Sequence, residues 1–154
     1  VVCIVISGCK PFGSSVPLDE LLSAPEQIEI DGRKYVLETY LWRDFMPISP
    51  PGGTPLIALI RITATDSLAL PPSIDATLLW VIKDQQEVWE TRFSEQERPP
   101  YPKYQLEKVA RNGPKWGPGI QVDVVVKVVD GENDIYLLRA SNQWIHRTDE
   151  KHIA

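Results

Sequence analysis

The chain has 154 residues, of which 43% are hydrophobic and 24% charged, and its formal net charge is −5. That length suits a single domain burying roughly 70% of its unfolded surface, and the composition excludes a disordered polymer, a collagen-like repeat and a coiled coil. The negative balance argues against a protein that grips nucleic acid through its phosphates.

Val1–Ile6 is an unbroken apolar run, far short of the about 20 residues needed to span a bilayer but of the kind that ends a signal-peptide apolar region. Both cysteines of the chain, Cys3 and Cys9, fall in the first nine residues, which excludes a disulfide framework and a Cys-ligated zinc site. Ile6-Ser7-Gly8-Cys9 places an aliphatic residue and two small residues before a thiol. The segment resembles the lipobox of bacterial lipoproteins. The resemblance implies cleavage before Cys9, acylation of Cys9 and a membrane anchor in the cell envelope. Lys10, where inner-membrane lipoproteins of enteric-type bacteria carry Asp, leans toward the outer membrane, facing the periplasm. Each buried CH₂ of the acyl chains would contribute about 0.8 kcal/mol, so two or three chains hold a protein on the membrane. The competing reading of Val1–Ile6 is a buried strand, since valine and isoleucine favour strands. Its lack of alternation and the Gly/Ser/Pro-rich tether that follows it, Lys10–Pro17, favour the lipoprotein reading. Residues 1–8 are then a signal-peptide remnant and residues 9–25 a lipidated tether. The folded body runs over 26–149, with a C-terminal tail at 150–154.

Ahead of the body, within 9–25, Leu18–Ser23 is the one helical signal, about a turn and a half. Thereafter strand patterns follow one another. Gln27–Ile30 and Arg33–Asp44 flank Asp31-Gly32, a dipeptide suited to a tight hairpin turn. On the second of these strands Tyr35, Leu37, Thr39 and Leu41 share one face, with Val36, Glu38, Tyr40 and Trp42 on the other. Met46–Thr54 is a Pro/Gly break. Pro55–Thr65 alternates again, and Asp75–Lys83 sets Ala76, Leu78, Trp80 and Ile82 against Thr77, Leu79 and Val81. Glu87–Phe93, Tyr104–Arg111 and Ile120–Val129 follow, the last with five aliphatic residues on one face. Asp134–Ala140 returns from a short loop, and Trp144–Arg147 continues it past a bulge near Ser141-Asn142. Trp42, Trp80, Trp89 and Trp144 lie within strand patterns and are assigned to the core.

These signals predict an all-β fold, an antiparallel β-sandwich of about seven or eight strands with a short N-terminal helix or tether, and leave a small barrel as the alternative. Trp80 in the third major strand, followed later by the valine-rich strand and hairpin Ile120–Ala140, resembles the immunoglobulin-like or fibronectin-III-like layout in order and spacing. The disulfide of antibody domains is absent from that pattern.

Catalytic motifs are missing from the sequence: no Gly-x-Ser-x-Gly elbow, no HExxH, no Gly-rich phosphate loop. His146, on a terminal strand, reads as a solvated histidine. Asp130-Gly131-Glu132-Asn133-Asp134 offers several oxygen ligands to calcium, but a polar hairpin turn accounts for the same residues. No catalytic residue, cofactor or metal is assigned. Two proline-stiffened loops, Arg98–Tyr104 and Asn112–Gly119, display Tyr101, Tyr104, Lys115 and Trp116, the candidate binding surface. The alternative is that Trp116 folds back as a lid on the sandwich. The function expected is a lipid-anchored, non-catalytic binding module whose partner is an envelope protein or a glycan, with no nucleic acid. The rivals are a carbohydrate-active enzyme or its accessory domain, and a structural subunit of an envelope assembly.

Overall fold

Asp31 and Gly32 both take positive φ, 52° and 79°, and close the tight turn between strands β1 (Gln27–Ile30) and β2 (Arg33–Asp44), with Ile30 opposite Arg33. This left-handed pair of turn residues matches the twist of the flanking strands. In the computed structural model residues 15–96, 103–131 and 134–149 are described. The lipobox-like segment with Cys3 and Cys9, the tether up to residue 14, Tyr101 and the tail from 150 lie outside the described residues.

The remaining strands are β3 (Ile57–Ala64), β4 (Asp75–Lys83), β5 (Glu87–Thr91), β6 (Glu95–Gln96), β7 (Gln105–Ala110), β8 (Gln121–Val129) and β9 (Ile135–Thr148), preceded by the helix α1 (Leu18–Leu22). The protein is all-β. Eight strands form one curled sheet in the order β5-β4-β8-β9-β2-β3-β7-β6, and β1 is added beside β2. Its two halves share one core, in which Tyr35, Leu37, Leu41, Ile60 and Ile62 from β2 and β3 meet Leu79, Val81, Val124, Val126 and Leu138 from β4, β8 and β9. Lys108 of β7 ties the halves together. Its ammonium pairs with Asp75 at 2.7 Å and donates to the Ala76 carbonyl at 2.8 Å.

Among the described strands an antiparallel layout holds for every pairing but one: β2 and β9 run parallel, with Leu41 beside Ile145 and Trp42 beside His146. The strand β9 is long enough to run past β8, and it carries the bulge expected in it. Val122 pairs with Gln143 and Val124 with Ala140, so β9 carries one residue more than β8 there. Asn142 takes φ 56° and donates its N–H to the Asp123 carboxylate at 3.1 Å. A bulge bends its strand and raises the local twist. Beyond it β9 comes alongside β2.

A second bulge corrects the expected faces of β4. Ala76 pairs with Val128 and Leu78 with Lys127, which leaves Thr77 as the extra residue. Side-chain parity therefore changes within the strand. Ala76 joins Leu79 and Val81 in the main core, whereas Trp80 and Ile82 face outward with Val125. Helix α1 covers that outward face, burying Leu21 completely against Trp80, Ile82 and Val125. Five residues are too few to hold a helix in water, and burial of a leucine side chain, about 1.5–3 kcal/mol, supplies what propensity does not. Polar contacts fix both ends of the segment. Ser15 donates its N–H and hydroxyl to Glu90 at 2.7 and 3.0 Å, and Arg139 donates to the Ala24 carbonyl at 2.8 Å.

Candidate functional site

Among the described residues, no helix covers the outer face of the other half of the sheet. On β2 the residues opposite in parity to Leu37 and Leu41 include Tyr40 and Trp42, and on β9, past the bulge, Trp144 and His146 flank the buried Ile145. The parallel register sets these two pairs next to one another. Tyr40 stacks on His146 with ring centroids 4.8 Å apart and planes 13° from parallel, and meets Trp42 at 5.3 Å with the planes tilted by 36°. Both distances fall in the range where aromatic pairs attract. Tyr40 is 42% exposed and Trp144 52%.

Trp42 and Trp144 are thus corrections to the assignment of all strand tryptophans to the core. Trp80 and Trp89 do follow that assignment, the first fully buried and the second packed against the main core. The missed signal was present in Trp144-Ile145-His146-Arg147. A single aliphatic residue between polar and aromatic neighbours marks the buried side and leaves Trp144 and His146 outside. His146 is exposed, as expected of a solvated histidine.

The polar atoms of this face are available. Neither the Tyr40 hydroxyl, the indole N–H groups of Trp42 and Trp144 nor the ring nitrogens of His146 hydrogen-bond within the described protein. By contrast, the buried indole N–H of Trp80 donates to Glu90 at 2.7 Å. Burial pulls the Glu90 carboxyl upward, but hydrogen bonds from the Ser15 N–H, the Trp80 indole and the Ser15 hydroxyl, with the charge of Arg92, together hold it below the ordinary value.

Beside Trp144 lies a shallow depression bordered by Pro118, Gly119, His146 and Arg147. The loop expected to bind therefore flanks the aromatic face, through residues other than those singled out. Trp116 is half-buried and packs against the main core, as does Tyr104, while Lys115 is exposed. Trp116 takes the lid position weighed as the alternative in the sequence.

The loop is fixed by Arg43, which is 4% exposed. Its guanidinium donates to the carbonyls of Thr54 at 2.8 Å, Gly117 at 2.7 Å and Lys115 at 3.3 Å, and also to that of Gly52. One planar fork thereby joins the β2–β3 loop to the β7–β8 loop. Burial lowers the pKa of Arg43 from its ordinary value, yet a guanidinium remains charged throughout the physiological range. The Phe45 ring receives the guanidinium groups of Arg43 and Arg147 at 5.0 and 4.3 Å from its centroid. Gly113 supplies a close approach, since a Cβ there would lie 2.7 Å from the Trp89 ring.

Where the β1–β2 and β8–β9 turns come together, a cleft is lined by Asp31, Arg33, Tyr35, Asp130, Asp134 and Tyr136, among others. Arg33 is committed to Asp66 by two bonds of 2.9 Å, and that hydrogen bonding holds the Asp66 carboxyl down at about 2. In the β8–β9 hairpin the Asp134 N–H donates to the Asp130 carboxylate at 3.3 Å, and the Asp130 N–H donates to the Asp134 carbonyl at 3.2 Å. These are turn contacts; Glu132 and Asn133 of the same segment lie outside the described residues.

Comparison with protein-family models, with curated proteins and with solved structures found no match to this chain.

Proposed function

We propose that the protein is a lipid-anchored cell-envelope protein, tethered through Cys9, whose β body is a non-catalytic binding module. Its ligand meets the face formed by Tyr40, Trp42, Trp144 and His146. The observation that carries this reading is the aromatic group itself: four rings on one sheet face, two of them more than two-fifths exposed, with their polar atoms unengaged. Aromatic side chains have two χ angles, so they give up little entropy when a ligand orders them. The mutual stacking and the Arg43 clamp reduce that cost further, because ring positions and loop borders are set before the ligand arrives.

The anchor rests on the lipobox-like Ile6-Ser7-Gly8-Cys9, which lies outside the described residues. Two measurements test the reading. Labelling with a palmitate analogue is expected for the wild type and lost in Cys9→Ala; equal labelling would overturn the anchor. Hydroxyl-radical footprinting on producing cells, compared with the purified protein, is expected to protect Tyr40, Trp42 and Trp144 and leave Ile48 and Leu68 as reactive as before. Unchanged reactivity of the three aromatics would remove the binding face.

A further inference from the structure

We infer that the ligand of the aromatic face is a neutral glycan, an inference that rests on the binding role proposed above and names its chemical class. A pyranose ring presents patches of C–H groups bordered by hydroxyls. An aromatic ring carries a negative π face that attracts such polarised C–H groups, so the two surfaces complement each other. The hydroxyl border then needs donors and acceptors close to the rings. The Tyr40 hydroxyl, the Trp42 and Trp144 indole N–H groups and the His146 imidazole supply them, and none is occupied within the described protein. The shallow depression beside Trp144, walled by Pro118 and Gly119, gives a sugar ring lateral contact without enclosing it, as an extended polymer requires.

Charge decides between neutral and charged ligands. Two arginines on and around this face already have partners. Arg61 pairs with Glu107 at 2.7 Å, and Arg147 lies over Phe45 and bonds Asp149 at 3.5 Å. The carboxylates are engaged as well. Glu38 accepts from the Thr63 hydroxyl and the Gln105 amide, each at 3.2 Å, and Asp44 accepts from the Met46 N–H at 3.0 Å. Among the described cations beside the face, Lys115 of the flanking loop is exposed and makes no ion pair, but one lysine is a weak anion site, and Glu38 together with the net charge of −5 repels polyanions. What the face offers is ring surface and uncharged hydrogen bonding.

The test is affinity electrophoresis of the full chain carrying Cys9→Ala, in native gels cast with hydroxyethylcellulose, galactomannan, xylan or dextran, and with alginate as the anionic control. The expected result is retardation by at least one neutral polymer and none by alginate. Retardation should weaken at least tenfold in Trp144→Ala and in the Tyr40→Ala/Trp42→Ala double variant, recover in part in Trp144→Tyr, and stay unchanged in Leu68→Ala. Thermal melting of each variant checks that it is folded. Retardation by alginate alone, by no polymer, or equally in folded Trp144→Ala would overturn the inference. Should footprinting still protect the aromatic face while every neutral polymer fails, the ligand class is wrong and the binding face stands. Loss of the protection as well would take down both.

Discussion

Two tryptophans on outer faces of the same sheet meet opposite treatment. Trp80 of β4 lies under α1 with no exposure, its indole N–H held by Glu90, whereas Trp144 of β9 is 52% exposed with its indole N–H unengaged. The residue type is the same and the sheet position is equivalent, so intrinsic preference does not separate them. What separates them is covering: ten residues, Ser15–Ala24, are folded down over one half of the sheet, and nothing described lies over the other. A fold that sheathes one aromatic face and leaves another bare among the described residues has a packed cluster and a solvent-facing cluster built from the same material, and the second is the face proposed for binding.

That contrast breaks first at the sheathed face. Trp80→Ala should cost about 4 kcal/mol, read as a fall in urea midpoint at constant slope, because it removes the centre of the cluster under α1. Arg43→Met is next, at about 3 kcal/mol, since the loops lose the donor that serves four backbone carbonyls. Hydrogen exchange should quicken around Gly52 and Gly117 before it does so in β8. Glu90→Gln should cost about 1 kcal/mol by weakening the bonds from Ser15 and Trp80.

Acid sharpens the same point. A carboxyl held below its ordinary value contributes stability that is fully present above that value and lost as pH falls through the lowered one. The α1 segment should therefore loosen in acid below the ordinary range of Glu90, monitored by Trp80 fluorescence, and Glu90→Gln should remove that part of the pH dependence. Asp66 should titrate near 2 in a carboxyl-detected NMR series, with Arg33→Ala returning it toward 3.8. The smallest effect belongs to the bare face: Trp144→Ala should change stability by less than about 0.5 kcal/mol while weakening ligand binding.

Much of the fold was legible because period-2 alternation and turn chemistry are local. The limits of β2, the Asp31-Gly32 turn, the valine face of β8 and the irregularity at Ser141-Asn142 all follow from residues within a few positions of one another. The faces of β4 were not legible, because the extra residue at Thr77 leaves no Gly or Pro to mark it, and each side chain beyond it changes sides. The parallel contact between β2 and β9 joins segments about a hundred residues apart, so only tertiary packing decides it. The aromatic face depended on that contact. Tyr40 and Trp42 are ordinary outward residues in isolation, and they acquire a role when Trp144 and His146 arrive beside them. The proline-rich loops drew attention through composition, yet Trp116 and Tyr104 serve packing, because half-exposed rings next to an apolar core are drawn onto it.

One inserted residue in β9 governs which side of its last six residues meets the outside world. Shortening the chain by Asn142 would rotate the strand's output by half a turn, presenting Ile145 to solvent and driving Trp144 and His146 inward. Change of length at that point is therefore far more hazardous to this protein than change of identity: one ring could replace another along β9 and the outward face would persist, but a single-codon deletion would turn that face toward the core.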